Sequence, residues 1–387
     1  MKRISVLMLI LMVCFATAAW AQAPQAAKHA ILTVDPPGAP GVNPYQGTQA
    51  LAINASGTIT GFYSDSINVM HSFIRGADGS YILFDAPDAG TQSVAGFLGT
   101  PMGVLGGQGT YSVAINKTGT VAGLYADIAN ILHGFLRTPD GIFTEFDVPG
   151  AGTGLGQGTN AGNINPSGII AGFWVDMNSV THGFVRSARG KITTFDAPGA
   201  GTAPGQGTYV GWATCLNPAG TVTGWFVDAN NVSHAFIRST NGTITTFDAP
   251  GAGTASGQGT YSWSINSSGA VTAVVVDSFG LQHGYLRYAN GSFRVFEVPG
   301  AGKNPGQGTI PQGIDSKGII VGSFLDPDGL NNGFWRAWNG QITHFRAPDA
   351  GTAPGQGTVP LTSNGLGQVT GAYFDSNFLI HGFLLNW

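Results

Sequence analysis

The tripeptide Gln-Gly-Thr occurs seven times, with its glutamine at 46, 108, 157, 206, 258, 307 and 356, so that successive copies lie 62, 49, 49, 52, 49 and 49 residues apart. A period of that length belongs to solenoids and propellers, and whether each repeat holds helices or strands decides between them. The first spacing contains an insertion of 13 residues between Thr91 and Gln108, and the fourth contains three extra residues between Gln206 and Asn217. Elsewhere the register is constant.

In the third copy, apolar and polar residues alternate in four short runs, 159–165, 169–176, 182–186 and 191–196. Between them stand Asn165-Pro-Ser-Gly168, residues 177–181, residues 187–190 and the segment that leads from Pro198 to Gln206. Glycine and asparagine at such breaks supply the backbone angles of tight turns. No window carries a 3.6-residue apolar period long enough for a helix. Each repeat is therefore predicted to form four antiparallel strands, and the whole chain an all-β, seven-bladed β-propeller. The 61 glycines, about 16 per cent of the 387 residues, fall mostly in the turns this arrangement needs.

The seventh repeat ends at Trp387 with only three strands. The segment Ile31-Leu-Thr-Val-Asp-Pro36 matches the fourth-strand pattern Ile192-Thr-Thr-Phe-Asp-Ala-Pro198. A strand over residues 30–36 is thus expected to complete the last blade and close the ring, removing the free sheet edges of an open array. The propeller would occupy residues 22–387 as a single domain.

Residues 1–21 read as a signal peptide: Lys2 and Arg3, an apolar run, then Ala19-Trp-Ala21 before the expected cleavage. A secreted or periplasmic protein follows, without a later apolar stretch long enough to span a bilayer, and a lipid anchor at Cys14 is disfavoured by Val13 before it. Only Cys215 remains after cleavage, so no disulfide forms within the chain. Charged residues make up 9 per cent and the net charge is -4, which excludes a basic surface for nucleic acid. A monomer is expected.

An aspartate recurs in all seven copies, at Asp65, Asp127, Asp176, Asp228, Asp277, Asp326 and Asp375. Six residues on stands His71, His133, His182, His234, His283 or His381, with Asn332 in the sixth copy. Facing each other across a hairpin base, aspartate and histidine would form a repeated structural clasp. The other reading makes the aspartates a ring of ligand-binding oxygens, for a sugar or for calcium. A transition-metal site is not expected, because the histidines belong to different blades. A second acidic register runs through Asp35, Asp85, Asp147, Asp196, Asp248 and Glu297, replaced by Arg346 in the sixth copy.

Arginines 75, 137, 186, 238, 287 and 336 share another register and are expected to bond the turns at Asn54, Asn116, Asn165, Asn217 and Asn266. Phe73, Phe135, Phe184, Phe236, Tyr285, Phe334 and Phe383 should pack between blades. No asymmetric carboxylate pair, nucleophile elbow or phosphate loop marks a catalytic centre. The insertion over 92–107 is apolar for a surface loop, and Phe97, Leu98 and Met102 are its candidate anchors for a partner or a sugar ring. Trp212 and Cys215 mark the three-residue expansion, and Lys303, His344 and Arg346 are lesser departures.

These repeated positions resemble the extracellular repeats named after His-Ala-Phe, present as His234-Ala-Phe236 and, with glycine, as His133-Gly-Phe135. The resemblance covers nearly the whole mature chain. It implies an exported β-repeat protein and carries no reaction. The sequence reading is an exported binding or interaction module for an extracellular glycan or protein, leaning away from an enzyme. Its ligand face would bear the Gln-Gly-Thr loops and the repeated aspartates. A polysaccharide lyase or glycoside hydrolase, or a purely structural surface protein, are the alternatives.

Overall fold

The computed structural model describes residues 30–39, 41, 43–93, 98–100, 103–105 and 107–387, the two three-residue pieces by their backbone alone. The segment read as a signal peptide, together with Phe97 and Met102, lies outside them. Among the described residues, 28 strands form one continuous, nearly closed sheet, and a separate hairpin pairs Leu98–Thr100 with Gly103–Leu105 inside the insertion. The fold is all-β.

The third repeat shows how the sheet is built. Gly158–Ile164 pairs antiparallel with Ile170–Val175, that strand with Thr181–Arg186, and that in turn with Ile192–Phe195. The innermost strand is buried almost throughout, whereas the outermost is largely exposed. A register shift between Asn160 and Asn163 bends the inner strand, as bulges do where a sheet must turn sharply. The third strand of one repeat touches the first strand of the next in parallel, at Thr181 and Gly207, and such contacts join the repeats into one sheet.

Gln-Gly-Thr is the joint of this design. Gly158 has φ +116°, and a Cβ there would overlap the carbonyl of Leu132 on the preceding repeat, so only glycine fits. The Thr159 hydroxyl accepts the Val148 N–H at 2.9 Å, fixing the end of the preceding outer strand. The Gln157 amide oxygen accepts the Gly154 N–H at 2.8 Å and closes the connecting loop. One motif thus orders three backbone segments.

Phe135, Phe184, Phe236, Phe334 and Phe383 are fully buried. Each meets an aromatic ring of the preceding repeat's outer strand at 5.9 to 6.4 Å, as Phe236 meets Phe195. The chain ends share this packing. Ala30–Val34 pairs antiparallel with Ile380–Asn386, Val34 is fully buried against Ala50, Phe73 and Leu384, and Asp35 reaches His381.

Candidate functional site

All seven Gln-Gly-Thr copies, the turn aspartates, the histidines and the ends of the outer strands lie at one end of the sheet, as the strand registers require. Asp176 shows the task of the repeated aspartate. Its Oδ1 accepts the N–H groups of Asn178 and Val180, each at 2.8 Å, and thereby holds the turn. The other six aspartates do the same for their own turns.

The clasp differs from its expected form. His182 Nδ1 bonds Asp196, of the second acidic register on the neighbouring outer strand, at 2.9 Å, whereas its Nε2 stands 3.8 Å from Asp176. His71, His133, His234, His283 and His381 likewise bond Asp85, Asp147, Asp248, Glu297 and Asp35 through Nδ1. Only His283 also comes within hydrogen-bond reach of its turn aspartate, Asp277, at 3.1 Å. Each imidazole therefore spans two carboxylates, and most rings stack on a second-strand aromatic, as His182 does on Trp174 at 4.3 Å. The Asp196 hydrogen bond outweighs burial and raises the His182 pKa, and His71, His133 and His381 are raised in the same way. At Asp176 burial opposes ionisation, but the Val180 and Asn178 N–H groups win and lower its pKa.

The sixth repeat tests the logic. There Asn332 bonds Asp326 at 3.1 Å, Arg346 reaches the carbonyls of Ala350 and Gly351, and His344 on the outer strand meets Phe324 with ring centres 4.9 Å apart and planes tilted by 50°. Loss of the histidine coincides with loss of the outer carboxylate, while the turn aspartate stays. Among the described residues, no group of three or more His, Cys, Asp or Glu side chains could hold a metal ion.

The arginines do bond turn carbonyls, but not at the asparagine turns: Arg75, Arg137, Arg287 and Arg336 each donate to the carbonyl of the next residue at 3.3 to 3.4 Å. Arg137, Arg186, Arg238, Arg287 and Arg336 lie over Phe84, Phe146, Phe195, Phe247 and Phe296 of the preceding repeats, 4.6 to 5.1 Å from the ring centres. The asparagine turns are linked instead to one another. Asn54 donates to the Asn116 carbonyl, Asn165 to Asn217, Asn217 to Asn266 and Asn266 to Asp315, and Asn364 returns to Asn54.

The inner strands surround a cavity of about 200 Å³ lined by Leu51, Trp212, Trp263, Gln312 and Leu361, among others. The three-residue expansion places Trp212 inside it. The Trp212 indole donates to Asn160 at 2.9 Å and packs against the Leu51–Val113 cluster, so it narrows the channel. Cys215, buried and free, donates to the Trp263 carbonyl, and burial pushes its pKa up to about 12. An unreactive thiol results.

Shallow grooves cross this face between repeats. One is bounded by Tyr45, Ile67, Asn68 and Ser93 at the foot of the insertion. Two more flank Tyr261, where Tyr209, Trp225, Tyr261 and Trp263 form a run of neighbouring rings 5.1 to 6.0 Å apart. Trp225 and Tyr261 were not singled out from the sequence, although Trp225 is the single tryptophan of its register. Leu98 opens the insertion hairpin, and among the anchors read there it alone lies within the described residues.

No family model matches the chain, and no curated protein does. Solved structures do. The BP39L lectin from Burkholderia pseudomallei superposes with a TM-score of 0.53 at 13% identity, over 88% of this chain and 97% of the lectin. The β-propeller domain of the Trilobed protease from Pyrococcus furiosus gives 0.50 at 9% identity, over 88% and 94%. The fold is that of a β-propeller. A prolyl endopeptidase is also similar, with a TM-score of 0.52 at 10% identity over 84% of this chain, which spans only 46% of that enzyme. Among the described residues of this propeller, no helix is long and apolar enough to cross a membrane.

Proposed function

We propose that this chain is an exported, seven-bladed β-propeller of four strands per blade, related to the His-Ala-Phe repeats, that binds glycans on the face bearing the Gln-Gly-Thr loops. The pairing pattern of the third repeat and the junction of Ala30–Val34 with Ile380–Asn386 support the blade count and the closure. The observation that carries the binding reading is how the repeated polar groups are used. Turn aspartates hold backbone N–H groups, histidines join carboxylates, and glutamines close loops, so the repeated chemistry builds a wall. Recognition is left to the grooves between these walls.

The aspartate turns at 65, 127, 176, 228, 277, 326 and 375 form the groove walls in this reading, and Phe97, Leu98 and Met102 of the insertion are its candidate apolar anchors. Binding is metal-independent in this reading, since one oxygen of each turn aspartate is already committed to its turn. A lectin sharing the fold makes a glycan the first class of ligand to test. A glycan array probed with and without calcium, followed by a product assay on each hit, should give calcium-indifferent binding without cleavage. Cleavage products would move the chain to the carbohydrate-active enzymes, and a blank array would leave a structural surface role.

A further inference from the structure

The internal repetition exposes one site by comparison of the fourth and fifth repeats. Tyr209 and Tyr261 hold the same place after Gln-Gly-Thr, and both hydroxyls donate to the carbonyl of the glycine before Gln-Gly-Thr, Gly205 and Gly257. In the fourth repeat the residue paired opposite Tyr209 is Trp225, which stacks on it at 5.5 Å with an 11° angle between planes, leaving Tyr209 1% exposed. In the fifth repeat the residue opposite Tyr261 is Val274. No ring covers Tyr261 there, and it remains partly exposed.

The uncovered side opens into a groove of about 390 Å³ between the fifth and sixth repeats, walled by Tyr261, Trp263, Val274, Ile310 and Gln282. The Trp263 ring adds to the apolar wall, its Nε1 out of reach of solvent, and the Gln282 amide offers a donor and an acceptor. No carboxylate, ammonium or guanidinium lines this groove. An aromatic face beside unspent neutral polar groups, with no charge, suits a ligand that has an apolar ring face, hydroxyls around its edge and no net charge.

We propose that this groove is a subsite for a pyranose of an uncharged saccharide, stacked on Tyr261 with its edge hydroxyls bonded to the Gln282 amide. The proposal rests on the glycan-binding reading and adds a site on the ring away from the insertion. The chain itself shows how to close it: Val274→Trp would set on Tyr261 the ring that Trp225 sets on Tyr209.

The test titrates the full mature chain with cellopentaose, xylopentaose, mannopentaose and N-acetylchitopentaose, followed by tryptophan fluorescence and calorimetry. Wild type should bind at least one. Val274→Trp and Tyr261→Ala should each weaken that binding tenfold or more, Gln282→Ala should weaken it several-fold, and Tyr261→Phe should retain it. If Tyr261→Ala does not fold, Val274→Trp decides. Undiminished affinity in Val274→Trp, or loss only on deletion of residues 92–105, overturns this subsite while leaving the module a glycan binder. Absence of binding to all four sugars by wild type overturns the subsite and weighs equally against the glycan reading.

Discussion

A Cβ on Gly162 would sit 2.7 Å from Cδ1 of Trp212, so the missing side chain in the third repeat and the extra residues in the fourth form one device. At the same place in the inner strand other repeats carry Leu51, Val113, Trp263, Gln312 or Leu361. Trp212 fills the space that Gly162 vacates. Gly162→Ala should therefore destabilise the protein by about 1–3 kcal/mol through overpacking. Adding Trp212→Ala should relieve that strain, so the double variant should lose less than the sum of the two single losses in urea denaturation. Strict additivity would show that the two residues do not compete for space.

The turn aspartate and the outer aspartate should behave differently when removed. Asp176→Ala leaves two turn N–H groups without their acceptor and should cost about 1–3 kcal/mol. Asp176→Asn keeps an acceptor oxygen and should cost less. Asp196 is 54% exposed and bonds a single imidazole, so Asp196→Ala should cost under about 1 kcal/mol. Thermal melts with and without calcium complete the comparison. A calcium-dependent rise in melting temperature that vanishes in Asp176→Ala would favour a metal-binding role for the aspartate ring.

The pH dependence follows from the same groups. The pKa values of His71, His133, His182 and His381 are raised in the folded chain, so their contribution is full below the ordinary value near 6.5 and fades as pH climbs through the folded value. Asp176, Asp228 and Asp277 are lowered, so theirs is full above about 3.9 and fades as pH falls through the folded value. Stability should peak between about pH 4 and 6.5 and decline toward pH 8. His182→Asn, which copies Asn332 of the sixth repeat, should reduce the decline. A melting temperature that is flat from pH 5 to 8 in wild type would refute a charged clasp.

The all-β propeller class is legible in the sequence because repetition averages out local ambiguity: the Gln-Gly-Thr copies mark recurring short strands, and the segment at 31–36 marks a strand that pairs with Ile380–Asn386. The partners of histidine were harder to read, because Asp176 is nearer in sequence than Asp196 yet the strand register brings Asp196 to Nδ1. A signal did exist, since the sixth repeat changes the histidine and the outer acid together, to Asn332 and Arg346, and keeps Asp326. Arginine placement had no comparable signal. The guanidinium meets its own repeat's outer turn and the neighbouring phenylalanine at once, and the second contact depends on how repeats pack, on which the pattern within one repeat is silent. Tyr261 escaped notice for a similar reason: its exposure depends on everything packed around it, Val274 opposite included, and not on its own identity.

The closing strand carries the last prediction. Ala30–Val34 contributes five register pairs with Ile380–Asn386, from Ala30 opposite Asn386 to Val34 opposite Gly382. Val34 is fully buried, and Asp35 bonds His381 at 2.7 Å. Burying a valine side chain is worth roughly 1.5–3 kcal/mol and each ladder hydrogen bond about 1 kcal/mol. Deleting residues 22–38 should therefore lower stability by on the order of 5 kcal/mol. It should also free the outer edge of Ile380–Asn386, whose unpaired N–H and carbonyl groups can recruit another chain. Urea denaturation and light scattering read the two effects separately. Val34→Ala, a milder change, should cost about 1–2 kcal/mol without exposing the edge. An unchanged midpoint in the truncated chain, with no association, would mean that the last three strands are stable without the first.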